Sequence, residues 1–290
     1  MEVYRYSPLV GGILIRRVNR FVSEIVLNGD TNVVQAYMAN PGSMLGMCVK
    51  GADIRASLAP PGSGKFKYRI EAIRIADVWI GCNTLIANKV VQKLLYGRHL
   101  IEQGILEDYD SFQHEVKDGN SRIDFVTQCL NTKTKTFIEV KTVTMASNWY
   151  DIEVSQTRAD KPFHNFPTSR PEECNMSGDL IALFPDCESK RAQKHVEHLI
   201  QCAKRPNSRS VMLFVVVRND VAAVAPSVHC DHSYAELLSQ SMGQYVSCCA
   251  LKFNLHLDDP ENAYITLEGS IPVSTSRDSD PRCTKRVRIR

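Results

Sequence analysis

Near residue 83 the hydrophobic period of the chain changes from two to 3.6, and no single repeating architecture accommodates both sides of that change. Before it, alternating segments run over Leu9 to Val18, Arg20 to Leu27, Thr31 to Met38, Asp53 to Leu58, Lys65 to Ile75 and Val78 to Cys82. Turn signals at Asn28-Gly29-Asp30, Asn40-Pro41-Gly42 and Pro60-Pro61-Gly62-Ser63-Gly64 separate them. Short strands between such turns predict a small all-β barrel over residues 1–83. After it, Ile86, Val90, Val91, Leu94 and Leu95 share one helical side, with Asn83 or Thr84 as cap and Gly97 as stop. Strands are expected at Ser111 to Lys117, Arg122 to Cys129, Lys135 to Val143, Ser210 to Arg218, Tyr245 to Leu251 and Ala263 to Leu267. Helices are expected at Glu188 to Lys204 and Tyr234 to Met242. The order αβββαβαββ makes residues 84–273 a second, α/β domain. Within it, residues 145–178 carry Pro162, Pro167 and Pro171 with little periodicity and read as a lid or unfolded insert; residues 274–290 read as a basic disordered tail.

Several classes of protein are excluded before any site is considered. At 43% apolar and 23% charged residues the chain has the composition of a folded protein, not of a disordered one. Its longest apolar run, Val211 to Val217, suits one buried strand and is far too short to span a membrane, so no membrane partner is expected. No signal peptide is read at the start, and the ten cysteines are scattered without a Cys-x-x-Cys pair, which fits reduced thiols in a cytosol-like compartment. The net charge of +3 divides unevenly: +4 over residues 1–84, −5 over 85–276 and +4 over 277–290. Basic ends around an acidic middle fit phosphate attraction beside a carboxylate-bearing site, although three arbitrary windows produce such a division by chance about as often.

The middle of the chain holds the most informative residues. Asp124 in SRIDFV, and Glu139 and Lys141 in FIEVKTV, lie inside strands that are otherwise largely apolar. A hairpin turning at Asn131-Thr132 sets Asp124 opposite Glu139, with Phe125 facing Ile138 and Ile123 facing Val140 on the other side. Like charges directly opposite destabilise a sheet, and a bound cation relieves the conflict; hard carboxylate oxygens favour Mg²⁺ or Mn²⁺. Lys141 follows on the same face about 7 Å further along the strand. There an ammonium orients a water and stabilises charge on a phosphate, the chemistry of metal-dependent phosphodiester hydrolysis. Glu115 on the preceding strand falls opposite Arg122 or Asp124 and is a candidate third ligand. The alternative is a quartet of Arg122, Asp124, Glu139 and Lys141 joined by cross-strand ion pairs without metal or activity.

Other charged residues are candidates for holding a polynucleotide backbone. Lys65, Lys67 and Arg69 alternate with Phe66, Tyr68 and Ile70, giving the barrel a basic strand face of the kind oligonucleotide-binding folds use. Arg16 and Arg17 end an earlier strand. On the second-domain helix Ala192, Val196, Leu199, Ile200 and Ala203 form the buried stripe, leaving Lys190, Arg191, Lys194 and His198 nearer solvent. A solvated face is the competing reading for each. His195, His198 and Cys202, and the run His229-Cys230-Asp231-His232, match no zinc-site spacing and read as ordinary helix and turn residues; Asp186 reads as a helix cap.

The segments RRVNRFVSEIVL, NPGSMLG, IGCNT, GNSRIDF, IEVKTVT, LFPD and RAQKH, in this order, resemble the sugar fermentation stimulation protein (SfsA-like) family along most of the chain. The resemblance implies an N-terminal OB-like barrel, a C-terminal domain similar to PD-(D/E)XK restriction-endonuclease folds, and DNA binding. It places Asp124, Glu139 and Lys141 on the nuclease-centre positions, and Gln193 and Lys194 on the family's Gln-Lys-His segment. The chain departs from the family pattern at Pro41, Ala87 and Ala192, and by the thirty or so residues inserted between the Glu-x-Lys strand and LFPD. That insert brings Trp149, Tyr150, Phe163 and Phe166 and puts substrate access in question. The expectation is therefore a DNA-binding protein with a Mg²⁺-dependent nuclease-like centre; its rival is a non-catalytic DNA-binding regulator that keeps the fold. No dinucleotide or nucleotide-phosphate loop supports a sugar-metabolising enzyme. DNA against RNA, dimerisation, and a cytoplasmic against a nuclear location are left open, the last because Lys285-Arg286-Val287-Arg288 resembles a nuclear signal only weakly.

Overall fold

The computed structural model describes residues 1–59, 64–148 and 180–274. Six strands follow the alternating segments: β2 (Leu9–Asn19), β3 (Val22–Leu27), β4 (Val33–Met38), β5 (Asp53–Leu58), β6 (Tyr68–Ile75) and β7 (Val78–Gly81). They lie in the order β4-β3-β2-β5-β6-β7, and β4 also pairs in parallel with β6, closing the first five into a barrel with β7 as an extra hairpin arm. Closure removes the sheet edges, and alternation turns Leu14, Ile25, Ala36, Met38, Ile54, Ile70 and Ile73 into one buried core. β6 begins at Tyr68, so Lys65 and Lys67 precede the strand.

A second body is built on seven strands. Its central strands are β10 (Lys135–Val143), β13 (Ser208–Val216) and β15 (Val246–His256), paired in parallel, and it is extended antiparallel by β9 (Ser121–Gln128), β8 (Ser111–Asp118), β16 (Tyr264–Ile271) and β1 (Glu2–Arg5). Helix α1 (Leu85–Tyr96) covers one face; α3 (Lys190–Ala203) and α4 (His232–Ser241) cover the other. Burial on both faces explains why β13 is apolar without alternation from Val211 onward. Beside it β11 (Met145–Asn148), β12 (Leu180–Phe184) and β14 (Val221–Pro226) form a smaller sheet, and α2 (His99–Glu102) is a single turn after α1.

The N-terminal residues do not all belong to the barrel, as the 1–83 boundary assumed: Glu2–Arg5 pairs with β16 at the edge of the second sheet. The strands β1, β11, β12 and β14 and the turn α2 have no counterpart in the expected order αβββαβαββ, because runs of four to six residues carry too little periodicity to declare themselves. Of the 145–178 insert, Met145–Asn148 is strand; the remainder, including Trp149, Tyr150, Phe163 and Phe166, lies outside the described residues. So does the tail after Ser274, whose amide bonds to the Val224 carbonyl. No helix among the described residues is long and apolar enough to cross a membrane.

Polar contacts fix the two bodies together. Arg55 Nε donates to the Leu257 carbonyl at 2.7 Å, and Trp79 Nε1 to Asp258 at 3.0 Å. Asp186 is not the cap of α3, a place taken by Ser189, whose side chain accepts from Ala192 N–H at 3.1 Å. Its carboxylate instead accepts the Met44 amide of the barrel loop at 2.8 Å, and its carbonyl accepts from Ser43. Gly42 makes room for this latch, since a Cβ there would lie 2.4 Å from both carboxylate oxygens.

Candidate functional site

Strands β9 and β10 pair in the register that a turn at Asn131-Thr132 demands, from Lys135 opposite Gln128 to Ile138 opposite Phe125. There the recorded ladder ends. Asp124, the next residue, accepts the Val140 amide on its carboxylate at 2.8 Å, replacing a backbone acceptor, and its other oxygen accepts from Asn88 of α1 at 2.9 Å. The side-chain phase slips with the ladder: Phe125, Ile138 and Val140 pack under α1, whereas Ile123 joins the core beneath α3 and α4. Ile123 therefore does not face Val140 as simple alternation required. The split gives Asp124 a fixed carboxylate between the two arms.

Glu139 is 3% exposed in the middle of β10. Its Oε1 accepts from Lys141 Nζ at 2.5 Å and contacts His195 Nδ1 of α3, while Lys141 Nζ lies 3.0 Å from the same nitrogen. Arg191 Nε approaches His195 Nε2 at 3.5 Å, so both ring nitrogens are engaged, Nδ1 by Glu139 and Lys141 and Nε2 by Arg191. Burial pushes the Glu139 carboxyl up, but Lys141 and His195 outweigh it and hold the group below its usual range. Asp124 moves the other way: burial, then the neighbouring Glu139 charge, raise it against the pull of the Val140 amide, Lys141 and Asn88. Both carboxylates are hard oxygen donors whose charges disfavour one another, and a divalent cation between them would relieve the penalty on Asp124. A cation on Glu139 competes there with Lys141 and His195.

The third expected ligand does not join them. The β8–β9 register pairs His114 with Phe125 and Val116 with Ile123 but skips Glu115, whose φ of 52° takes it out of the strand conformation. Glu115 is exposed and held by Arg122 at 3.4 Å. Among the described residues no trio of Glu115, Asp124 and Glu139 brings its ligand atoms within 4.8 Å.

The basic candidates divide by what they already touch. Arg17 donates to the Arg20, Asn40, Gly42 and Ser43 carbonyls at 2.8–2.9 Å, so it braces the barrel loop and has little left for phosphate. Arg69 pairs at 2.8 Å with Glu71, a carboxylate 1% exposed that also accepts from Ser57 and Asn83. Gln193 donates to Asp231 at 2.7 Å; Asp231 caps α4 and accepts the Ser189 amide, which gives the 229–232 run a structural task. Arg16 is exposed but paired with Glu24 at 2.7 Å. Lys65, Lys67, Arg191 and Lys194 remain exposed. Arg191 and Lys194 lie on α3 beside His195, next to the carboxylates.

Sequence reasoning missed Asn88 and His195, which only the packing of α1 and α3 against the sheet brings to the centre. It also set His198 toward solvent, whereas His198 is buried, because Asp118 of β8 reaches it at 2.7 Å. Asp118 bonds Arg205 through both oxygens as well and accepts from Cys202 at 3.5 Å. Arg205 first, then His198, pull the Asp118 carboxyl down to about 2, while burial pushes the Cys202 thiol up to about 12. Asp118, His198 and Cys202 are the one set of three potential metal ligands that converges among the described residues. With a guanidinium already seated on the aspartate, the cluster is an ion-pair anchor between β8 and α3.

Comparisons with known proteins agree with this architecture. Residues 15–82 match the family model described as the SfsA N-terminal OB domain, and residues 85–153 and 173–259 match the sugar fermentation stimulation protein RE domain. Among curated relatives, the sugar fermentation stimulation protein homolog of Synechocystis sp. is 32% identical over 255 residues, covering 87% of this chain and 92% of its own. The Prochlorococcus marinus (strain MIT 9515) homolog is 32% identical over 287 residues, covering 94% and 97%. SfsA of Pyrococcus furiosus, solved in complex with Ca²⁺, has the same fold with a TM-score of 0.72 at 24% identity, over 94% of this chain and 99% of that one.

Proposed function

The chain belongs to the sugar fermentation stimulation protein family, and on that premise we propose that it binds DNA and cleaves it at a Mg²⁺- or Mn²⁺-dependent phosphodiester-hydrolysing centre. One observation carries the reading: Asp124 breaks the β9–β10 ladder to hold its carboxylate beside buried Glu139, with Lys141 on the same strand. A sheet built for stability alone gains nothing from a raised carboxyl and a forfeited ladder bond. The relative from Pyrococcus furiosus was solved with Ca²⁺, a hard cation of the same preference for oxygen.

In this centre Asp124 and Glu139 would hold the ion. Bound there, a divalent cation supplies Lewis-acid polarisation of a phosphoryl oxygen and lowers the pKa of a coordinated water. The chain's own residues do the rest. The Val140 amide and Asn88 fix the Asp124 carboxylate, so no reorganisation is needed when charge develops. Lys141, on the same strand as Glu139, would offer its ammonium to the non-bridging oxygens or the attacking water. Arg191 and Lys194 on α3 supply phosphate contacts that set the register of the strand.

A second reading rests on a specific contact. Lys141 neutralises Glu139 and His195 contacts it without any metal, which suits a DNA-binding regulator that keeps the nuclease fold and performs no hydrolysis. Incubating the full chain with supercoiled plasmid and Mg²⁺ or Mn²⁺ separates the two. The hydrolytic reading expects nicking that disappears in Glu139→Gln and in Lys141→Ala. Nicking that survives both substitutions refutes the site, and binding without nicking in either metal favours the regulator.

A further inference from the structure

We propose that the outer wall of the barrel is a stacking platform for the bases of a single-stranded polynucleotide, formed by Phe21, Tyr37 and Phe66. The inference deepens the DNA-binding reading and rests on it. The three residues come from distant parts of the sequence: Phe21 just before β3, Tyr37 on β4 and Phe66 just before β6. Pairing of Val22 with Tyr37, and of Tyr37 with Arg69, brings them into one row. Ring centroids are 6.2 Å apart from Phe21 to Tyr37 and 6.5 Å from Tyr37 to Phe66, with interplanar angles of 24° and 14°. The rings thus share an orientation across the wall.

None of the three belongs to the barrel core or packs against it; Phe21 is 43% exposed, whereas Tyr37 and Phe66 are half-buried. Three aromatic rings outside the core, aligned on one surface, are an apolar patch without a structural task. The surrounding charge says which partner fits. Lys65 and Lys67 flank Phe66, both are exposed, and neither forms an ion pair among the described residues. The nearby carboxylate Glu24 is already neutralised by Arg16. Planar rings interleaved with exposed ammonium groups, of which Lys67 lies over the Tyr68 ring at 5.4 Å and pairs with no carboxylate among the described residues, match alternating bases and phosphates, and stacking requires bases whose faces are open, which a duplex does not offer. The strands β3 and β4 carry this wall, the side on which oligonucleotide-binding barrels receive their ligands.

Fluorescence anisotropy of the full chain with labelled dT₁₅, U₁₅ and a 15-base-pair duplex tests the platform. Wild type should bind a single strand more tightly than the duplex, and whichever of dT₁₅ and U₁₅ binds better identifies the strand. Phe21→Leu and Phe66→Leu keep an apolar side chain but lose the ring; each should weaken single-strand binding about five- to a hundredfold, with duplex binding unchanged. Phe21→Trp should retain wild-type affinity. Thermal unfolding of each variant shows that the fold persists, as expected for side chains outside the core. Single-strand affinity unchanged in both Leu variants overturns the platform while duplex binding leaves the parent reading standing. Failure of wild type to bind any of the three probes overturns both.

Discussion

Replacing Lys141 with alanine should destabilise the folded chain far more than loss of an exposed lysine would. Lys141 and Glu139 have side chains 12% and 3% exposed and meet at 2.5 Å, so removing the ammonium strands a carboxylate in a site that water scarcely reaches. Breaking a buried pair from one side costs about 3–5 kcal/mol, and the remaining His195 contact places the loss toward the lower figure. An unfolding entropy of about 2.1 cal/mol/K per residue gives about 0.6 kcal/mol/K for the 290-residue chain, and hence a fall in Tm of about 5–8 °C. Differential scanning calorimetry at neutral pH measures it. Because Glu139 is held below its usual range in the folded state, the stability it contributes is present above the ordinary glutamate pKa and is lost as pH falls through the folded value. The gap between wild type and Lys141→Ala should accordingly narrow in acid. The double variant Glu139→Gln/Lys141→Met removes both charges and should recover most of the loss. A Tm for Lys141→Ala within about 2 °C of wild type, where an exposed pair worth under about 1 kcal/mol would leave it, refutes the reasoning.

Asp124 predicts the opposite sign: its carboxyl is raised in the fold, so ionisation costs stability at neutral pH and the cost is relieved as pH falls through the folded value. Asp124→Asn, which keeps an oxygen for the Val140 amide, should therefore raise Tm at pH 7, with the difference closing in acid; a lowered Tm at pH 7 counts against the assigned environment. Asp118 is pulled from 3.8 to about 2, so its stabilisation is full above the former value and drains away toward the latter. Asp118→Asn should flatten the acid limb of a stability–pH curve between those values, and an unaltered limb would show that the Arg205–His198 anchor contributes nothing. Gly42→Ala should cost about 1–3 kcal/mol by driving a Cβ into Asp186, and the cost should shrink in an Asp186→Ala background. Equal losses in both backgrounds, read from urea midpoints, would exclude the Asp186 latch as the cause.

The closed barrel was legible because alternation and turn chemistry act locally: Asn28-Gly29-Asp30 joins β3 to β4, which pair as their patterns require, and Asn40-Pro41-Gly42 ends β4. The β9–β10 register was legible for the same reason, being fixed by the Asn131-Thr132 turn. What alternation cannot announce is a side chain taking over a backbone bond. Asp124 does this, and the resulting slip sends Ile123 to the other core and turns one oxygen of the Asp124 carboxylate toward Asn88 of α1. Charge read from sequence is likewise blind to partners. Arg17, Arg69 and Gln193 looked available for phosphate, yet each is engaged by carbonyls or a carboxylate contributed by another part of the chain. His195 was dismissed on helical spacing, and only the packing of α3 over β10 reveals what it touches.

Isothermal titration calorimetry of the full chain with Mn²⁺ tests the divalent centre most directly. The account predicts one ion bound per chain, displacing Lys141 and His195 from Glu139, with the heat abolished in both Asp124→Asn and Glu139→Gln. No binding by wild type, or binding that persists undiminished in those variants, would contradict it.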